Sequence, residues 1–386
     1  MVGLAERLRA RGAQVRLCVP RDEDLVARAQ ESGAEVTPLG PAGKELMRRD
    51  PPPSIPETAA LLLGEQVAVL PGLLEGCDAA VVTGALPAAA GALSAAEAAG
   101  VPAASVTFQQ LTIPAPDRRP LVYRGMQPSE DEDPHALWRA DAEAIDRLFA
   151  DAVGSARETL GLPSLAHVRD IVVGEHPWLA TDPVLDPWRR AWGIDAFQTG
   201  AWTVPDTNPL DHELLAFLDD GPPPVYVGFG SMPMLASPDV AAAAMDALRA
   251  HGRRAVILRG WAELEAEHGA EDCFVVGQVN HQALFPRVAA VVHHGGAGTT
   301  TTAARAGTSQ VVVPQAVDQP YWAGRVAALG VGAAHEGPTP TAASLRTALT
   351  TALSLAIRAK ATAVAGAIRS DGTTVASVEI ERLCGH

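Results

Sequence analysis

The chain has 386 residues, 47% of them hydrophobic and 4% aromatic, with a formal net charge of −15. That length and apolar content call for two cores rather than one, and the acidity excludes a nucleic-acid-binding surface while leaving open a nucleotide held by backbone amides. Cys18, Cys77, Cys273 and Cys384 stand far apart without CxxC or metal-ligand spacing, so neither a disulfide framework nor a metal site is expected and a reducing, cytoplasmic setting is.

Residues 4–11 mix Glu6, Arg7, Arg9 and Arg11 with apolar positions and stop at Gly12, which reads as an amphipathic helix and not a signal peptide. Residues 14–19 read as a strand ended by Pro20, residues 22–30 as a helix and residues 35–37 as a short strand. Residues 41–56, with prolines at 51, 52, 53 and 56, form a loop. A helix at 59–74, a strand at 79–82, a helix at 88–99 and a strand at 103–108 follow. The stretch 79–108 carries a single charge, Glu97, but its apolar residues are mostly Ala and are interrupted by Gly84, Pro87, Gly91, Gly100 and Pro102, so no stable membrane insertion is expected. Strands and helices alternating at these lengths predict a parallel, helix-covered sheet.

Between residues 109 and 178 the pattern turns helical, with the acidic run 130–133 as a solvated loop tip. Phe108, Tyr123, Trp138, Phe149 and Trp178 fall in or beside this stretch; they suit a core, and they also suit a face for an aromatic ligand. Residues 1–204 are expected to form one domain, 205–224, ending in three prolines, a linker, and 225–386 a second domain opening on a strand at 225–229. The halves echo each other: Leu8-Arg9-Ala10-Arg11-Gly12 and Leu248-Arg249-Ala250-His251-Gly252 each precede a strand. Residues 344–383 are two helical stretches broken near Asp371-Gly372.

The most informative stretch is 291–319. Val291 and Val292 lead through His293-His294-Gly295-Gly296-Ala297-Gly298-Thr299 into a short helix that stops at Gly307; a second strand ends at Pro314 and leads to Asp318-Gln319-Pro320. Gly295, Gly296 and Gly298 let the backbone approach a ligand, and the open amides and dipole of the following helix favour an anion such as a diphosphate. His293 adds a side-chain donor, and Thr299 and Thr300 a hydroxyl each. The P-loop Lys is absent and the spacing is not the dinucleotide fingerprint. Two readings stand: a tight strand-to-helix turn with a packed core histidine, or an anion site. In the same way Asp318 is either a plain helix cap or, with Gln319, a hydrogen-bonding pair for sugar hydroxyls on the ligand edge of a parallel sheet. Phosphate on one loop and sugar on the next points to a nucleotide-sugar.

The run HHGGAGTTTTAARAGTSQVVVPQAVDQPYWAGRVAALGVG resembles the donor signature of the glycosyltransferases that decorate antibiotics, of the glycopeptide and macrolide type. Gly228-Phe229-Gly230-Ser231, Arg259-Gly260-Trp261 and Val279-Asn280 stand upstream of it as that family requires, and the resemblance covers residues 200–380, more loosely the first half. It implies the GT-B architecture, two Rossmann-like α/β domains with parallel sheets facing across a cleft, the last helix crossing back to the first domain. It implies that His293, Gly295, Gly296, Gly298 and Thr299 hold the diphosphate with help from Ser231, that Arg259, Trp261 and Val279 line the nucleotide, and that Asp318 and Gln319 hold the sugar.

The activity implied is inverting transfer of a hexose or deoxyhexose from a TDP- or UDP-sugar to a hydroxyl of a small aglycone, with no metal or cofactor and neither nucleic acid nor membrane as partner. The family pattern opens with a strand and a Gly-rich loop bearing a His or Asp base; Met1-Val2-Gly3-Leu4-Ala5 matches the helix after that loop, which puts the base position upstream of Met1, and His135 and His176 are the remaining candidates. A nucleotide-sugar epimerase and a non-catalytic donor-binding partner of another transferase are the alternative classes.

Overall fold

The computed structural model describes residues 1–42, 53–122, 129–229, 240–259 and 271–385. They gather in two compact units, the first comprising Met1–Thr181, Trp188–Val204 and Ser370–His386, the second Asp182–Pro187 and Pro205–Arg369.

The first unit holds α1 (Val2–Ala10), β1 (Arg16–Val19), α2 (Glu23–Glu31), β2 (Glu35–Pro38), α3 (Ile55–Leu74), β3 (Ala80–Val82), α4 (Leu86–Ala99), β4 (Ala103–Thr107), α5 (Pro134–Thr159), α6 (Val168–Val173), β5 (Trp178–Leu179) and β6 (Phe197–Gln198). Residues 55 and 56, expected in a loop, begin α3 instead, because Ser54 and Glu57 form a reciprocal capping box and Pro56 suits a first turn. The acidic run is likewise more than a loop tip: the Asp133 carboxylate caps α5, accepting from Ala136 N at 3.0 Å. Trp138, Phe149 and Trp178 are core; Tyr123 lies outside the described residues.

One parallel sheet is expected here and, among the described residues, two are found: β1 pairs with β2, while β3-β4-β5-β6 form a separate four-stranded parallel sheet. Helix α1 serves both. Leu4 packs with Ala104, Val106 and Trp178, whereas Ala5, one residue on, packs with Leu17 of β1 and Ala29 of α2.

The stretch 79–108 is β3, α4 and β4, with α4 largely buried in this unit. Gly91 brings α4 so close to α3 that a Cβ there would meet Gln66 Oε1 at 2.1 Å and Leu63 Cδ2 at 2.3 Å. Among the described residues the helix long and apolar enough to cross a membrane is α3, which here packs Ala59 and Leu63 against α4 and α5. The buried Arg157 ties α5 to α4 through Glu97 at 2.7 and 3.2 Å, the Ser94 hydroxyl at 3.2 Å and the Pro163 carbonyl at 2.8 Å, so its charge is fully paired.

The second unit continues with α7 (His212–Asp219), β7 (Val225–Gly228), α8 (Val240–Ala250), β8 (Ala255–Leu258), β9 (Cys273–Val276), α9 (His281–Leu284), β10 (Ala290–His293), α10 (Ala297–Arg305), β11 (Gln310–Val312), α11 (Gln319–Leu329), β12 (Gly332–Ala334), α12 (Ala342–Ala352) and α13 (Leu355–Ala365). Its six strands make one unbroken parallel sheet in the order β12-β11-β10-β7-β8-β9. The apolar runs at β7, β8, β10 and β11 follow from burial of both faces, with separate clusters above and below the sheet.

Two boundaries differ from the sequence expectation. The supposed linker 205–224 carries α7, whose Leu214 and Leu218 enter the core with Tyr226 and Val256; an amphipathic helix buries apolar surface that a solvated linker would leave exposed. Residues 182–187 also belong to the second unit: Leu185 is fully buried with Trp322 and Val326, and the Asp182 carboxylate accepts Val184 N at 2.8 Å and Arg369 N at 2.7 Å. The final helix, α14 (Gly372–Leu383), belongs to the first unit. Its Ala376 and Ile380 pack with Leu4, and its Glu381 takes a two-point ion pair from Arg11 at 2.7 and 2.6 Å.

Candidate functional site

Because the strands of the second unit are all parallel, the segments leaving β11, β10, β7, β8 and β9 follow one another in that order along one carboxyl edge. That edge is where parallel α/β sheets bind ligands. The predicted residues fall on it: Asp318 and Gln319 after β11, the glycine turn after β10, Arg259 after β8 and Val279 after β9. Ser231 and Trp261 lie outside the described residues.

The turn after β10 depends on glycine for two reasons. Gly295 has φ of +96°, and a Cβ there would meet Val312 Cγ1 at 2.7 Å and the Gln319 carbonyl oxygen at 3.2 Å. This close approach seats the first turn directly on the second. Gly296 is the N-cap of α10 and offers it no side-chain cap, so the opening amides of the helix keep their donors. Gly298 is exposed, with nothing within 4 Å of the place a Cβ would occupy. The hydroxyls of Thr300, Thr301 and Thr302 bond back to the carbonyls four residues earlier at 3.0, 2.8 and 2.9 Å; Thr300 therefore has no donor to offer a ligand, contrary to expectation, whereas Thr299, half-buried ahead of them, makes no such bond.

His293 fits the packed-core-histidine reading and departs from the diphosphate contact that the resemblance implied. Its ring is completely buried; Nδ1 accepts the Gly295 N–H at 3.1 Å and Nε2 donates to Gln310 Oε1 at 2.9 Å. Burial pushes its pKa down to about 3, so it is a neutral brace that fixes the turn and has no nitrogen left for a ligand. The neighbouring His294 is only half-buried and leans over the turn: a Cβ on Gly296 would meet its Nε2 at 2.7 Å. Its Nδ1 is buried without a hydrogen-bond partner, and burial lowers its pKa. Two consecutive histidines are visible in the sequence, but which of them turns inward depends on packing against β11.

The second turn is braced by side chains. Gln319 Oε1 accepts Gln315 N at 2.7 Å and Ala316 N at 3.2 Å, leaving its amide NH2 as the free half of the group. Asp318 Oδ2 accepts the Trp322 indole N–H at 2.9 Å, its carboxyl also accepts its own backbone N–H, and burial raises the pKa of this carboxyl.

Farther along the edge, Val279 is half-buried against the cluster of Leu284 and Phe285. Asn280 caps α9 and donates to the carbonyls of Asp206 and Asn208 at 2.9 and 2.8 Å. Sequence reasoning missed this brace and also the buried Tyr226–His281 hydrogen bond of 2.8 Å beneath it. Arg259 is exposed, with its backbone N–H on the Val276 carbonyl at 2.9 Å.

In the first unit, His176 stands ahead of β5 and hence at the amino edge of its sheet, away from the ligand edge. His176 therefore lacks the placement expected of a catalytic base. His135 stacks on Trp192 with ring centroids 4.3 Å apart.

Comparison with known proteins gives a consistent picture. Residues 264–379 match the family model described as the C-terminal domain of erythromycin biosynthesis protein CIII-like proteins. The chain is 45% identical over 380 residues to a vancomycin aglycone glucosyltransferase of Amycolatopsis orientalis, covering 98% of this chain and 92% of the relative. It is 46% identical over 370 residues to the dTDP-epi-vancosaminyltransferase of the same organism, covering 94% and 89%. Among solved structures, the glycotransferase of kitacinnamycin superposes with a TM-score of 0.70 at 21% identity, covering 99% of this chain and 94% of that one.

Proposed function

The chain belongs to the glycosyltransferases of glycopeptide-antibiotic type, of GT-B fold, and from that membership we propose that it moves a hexose or 6-deoxyhexose from a TDP- or UDP-sugar to a hydroxyl of a glycopeptide or macrolide aglycone. What supports the donor assignment is the contact of Gly295 with Gln319, which sets the amide-rich turn against the side-chain-rich one. A diphosphate over the first and its hexose over the second then lie side by side, with the nucleoside running toward Arg259 and Val279 across β7 and β8.

Transfer in this family inverts the anomeric centre. The acceptor oxygen attacks the anomeric carbon on the face opposite the diphosphate, the bond to the diphosphate oxygen breaks, and the acceptor releases its proton. Negative charge grows on the departing phosphate. We assign its stabilisation to the amides of residues 297–299, the Thr299 hydroxyl, His294 and the dipole of α10, donors already oriented before the bond breaks. Asp318 and Gln319 orient the sugar through its hydroxyls. The nucleotide-sugar is a co-substrate, and neither a metal nor an organic cofactor enters this reading. The partners are that donor and the small aglycone, not nucleic acid or membrane, and the scattered cysteines suit a cytoplasmic setting.

The test is incubation with TDP- and UDP-linked hexoses and 6-deoxyhexoses together with glycopeptide and macrolide aglycones. Mass spectrometry is expected to show one glycosyl unit added to an aglycone, and NMR coupling an inverted linkage. A donor isomerised without acceptor would make the protein an epimerase, and saturable donor binding with no transfer to any aglycone would make it a partner subunit.

A further inference from the structure

We propose that Val317 is a specificity-determining residue that reads the substituent on C5 of the donor hexose and favours a methyl, as in 6-deoxyhexoses, over a hydroxymethyl. The proposal rests on the donor reading above and extends it to a residue within the signature run to which neither the resemblance nor the bonded network of the site gives a role.

Among the described residues only Trp192 and Val317 are non-glycines with positive φ, and Val317 stands at +59°. A β-branched side chain is the least suited to that region, because its branched Cβ crowds the following carbonyl. Such a conformation persists only where surrounding bonds over-determine it. Those bonds are present. The N–H groups of Gln315 and Ala316 are held by Gln319 Oε1, the Ala316 carbonyl accepts Gln319 N at 3.2 Å, and Asp318 is fixed by the Trp322 indole. Glycine would fill this position without strain, and the chain uses valine.

The side chain gains little from the core in return, since Val317 is 56% exposed, one of the few large apolar side chains among the described residues that face solvent. A strained and solvated isopropyl group directly before Asp318 and Gln319 is explained by a ligand that covers it. The hexose assigned to this turn offers hydroxyls for the carboxylate and amide, and in a 6-deoxyhexose its one apolar projection is the C5 methyl. A methyl there buries against isopropyl, whereas a hydroxymethyl would lose water from its hydroxyl without gaining a partner.

The experiment is calorimetric titration of the full chain with TDP, TDP-glucose and TDP-6-deoxyglucose, the two sugars differing only in the 6-hydroxyl. Wild type is expected to bind the deoxy donor about tenfold tighter than TDP-glucose, the low end of what one methyl-sized contact discriminates. V317A and V317G are each expected to bring that ratio within twofold of unity with TDP affinity unchanged. V317G should melt at a higher temperature than V317A, because glycine relieves the left-handed strain that alanine keeps. A ratio unmoved in both variants while TDP still binds overturns the proposal and leaves the donor reading intact. Failure of wild type to bind TDP overturns the donor reading, and the role of Val317 falls with it.

Discussion

The two turns on the carboxyl edge of the second unit solve different problems with different groups. The turn after β10 is built from backbone: three glycines, an uncapped helix and a buried histidine that braces it from behind. The turn after β11 is built from side chains, with Gln319 Oε1 and Asp318 Oδ2 bonded within the protein and the Gln319 amide NH2 left over. On the proposed function, a diphosphate has diffuse charge and would be met by converging amides, which glycine exposes. A hexose has discrete hydroxyls and on the same proposal would be met by discrete acceptors and donors, which need supporting bonds to stay aimed.

The largest effect is expected where the turns touch. G295A places a methyl against Val312 and the Gln319 carbonyl at a residue with φ of +96°. It should lower folding stability by about 3 kcal/mol and abolish TDP binding, measured by chemical denaturation and calorimetry. A variant that melts and binds like wild type would mean the turns are positioned independently.

Next in size, D318N keeps an acceptor for the Trp322 indole but removes the carboxylate charge assigned above to the sugar. Transfer should fall by roughly 10- to 100-fold in kcat/KM while the melting temperature stays near wild type. Equal loss of TDP affinity would place Asp318 on the phosphate side and break the division of labour between the turns.

A smaller effect tests the brace behind the first turn. Burial holds His293 at about 3 and His281 at about 4, below the ordinary 6.5. Each stabilises the second unit as the neutral ring, so the contribution is full above pH 6.5 and is lost as pH falls from 6.5 toward those values, by up to about 1.4 kcal/mol per histidine per pH unit. In the first unit Asp141 is raised from 3.8 to about 6 by burial, against the opposing pull of Arg169. Its contribution is full below 3.8 and is lost as pH rises through 6. Hydrogen exchange corrected for intrinsic rates should therefore show the second unit losing protection between pH 7 and 5 while the surroundings of Asp141 do not. Uniform loss in both units would remove the buried histidines as the cause.

The smallest effect is expected at G298A, where the added methyl meets open space. Stability should change by less than about 1 kcal/mol, the helix-interior difference between Gly and Ala, and TDP affinity should fall only severalfold as the methyl crowds the ligand. Unchanged affinity would move the diphosphate off this face of α10.

Much of this site was legible in the chain. Glycine spacing, the strand–turn–helix pattern and the Asp-Gln pair named both turns, because backbone conformation and helix-end donors are local properties of a few consecutive residues. The roles of the histidines were not legible: His293 and His294 are adjacent and chemically identical, and only the packing of β10 against β11, with Gln310 waiting for Nε2, decides which one turns inward. Nor could the sequence show that α7 lies within a stretch ending in prolines, since its short apolar stripe needs the second sheet as a partner before it counts as a helix.

By itself, then, the sequence determined two layered units, an amide-lined glycine turn and a neighbouring polar turn, since period, glycine and capping act over a single turn of chain. Tertiary structure alone decided that Gly295 rests on Gln319, that residues 182–187 join the second unit and α14 the first, and that Val317 stands strained and exposed. Each of these is a contact or a conformation imposed by groups far apart in sequence, and short-range preference carries no record of them.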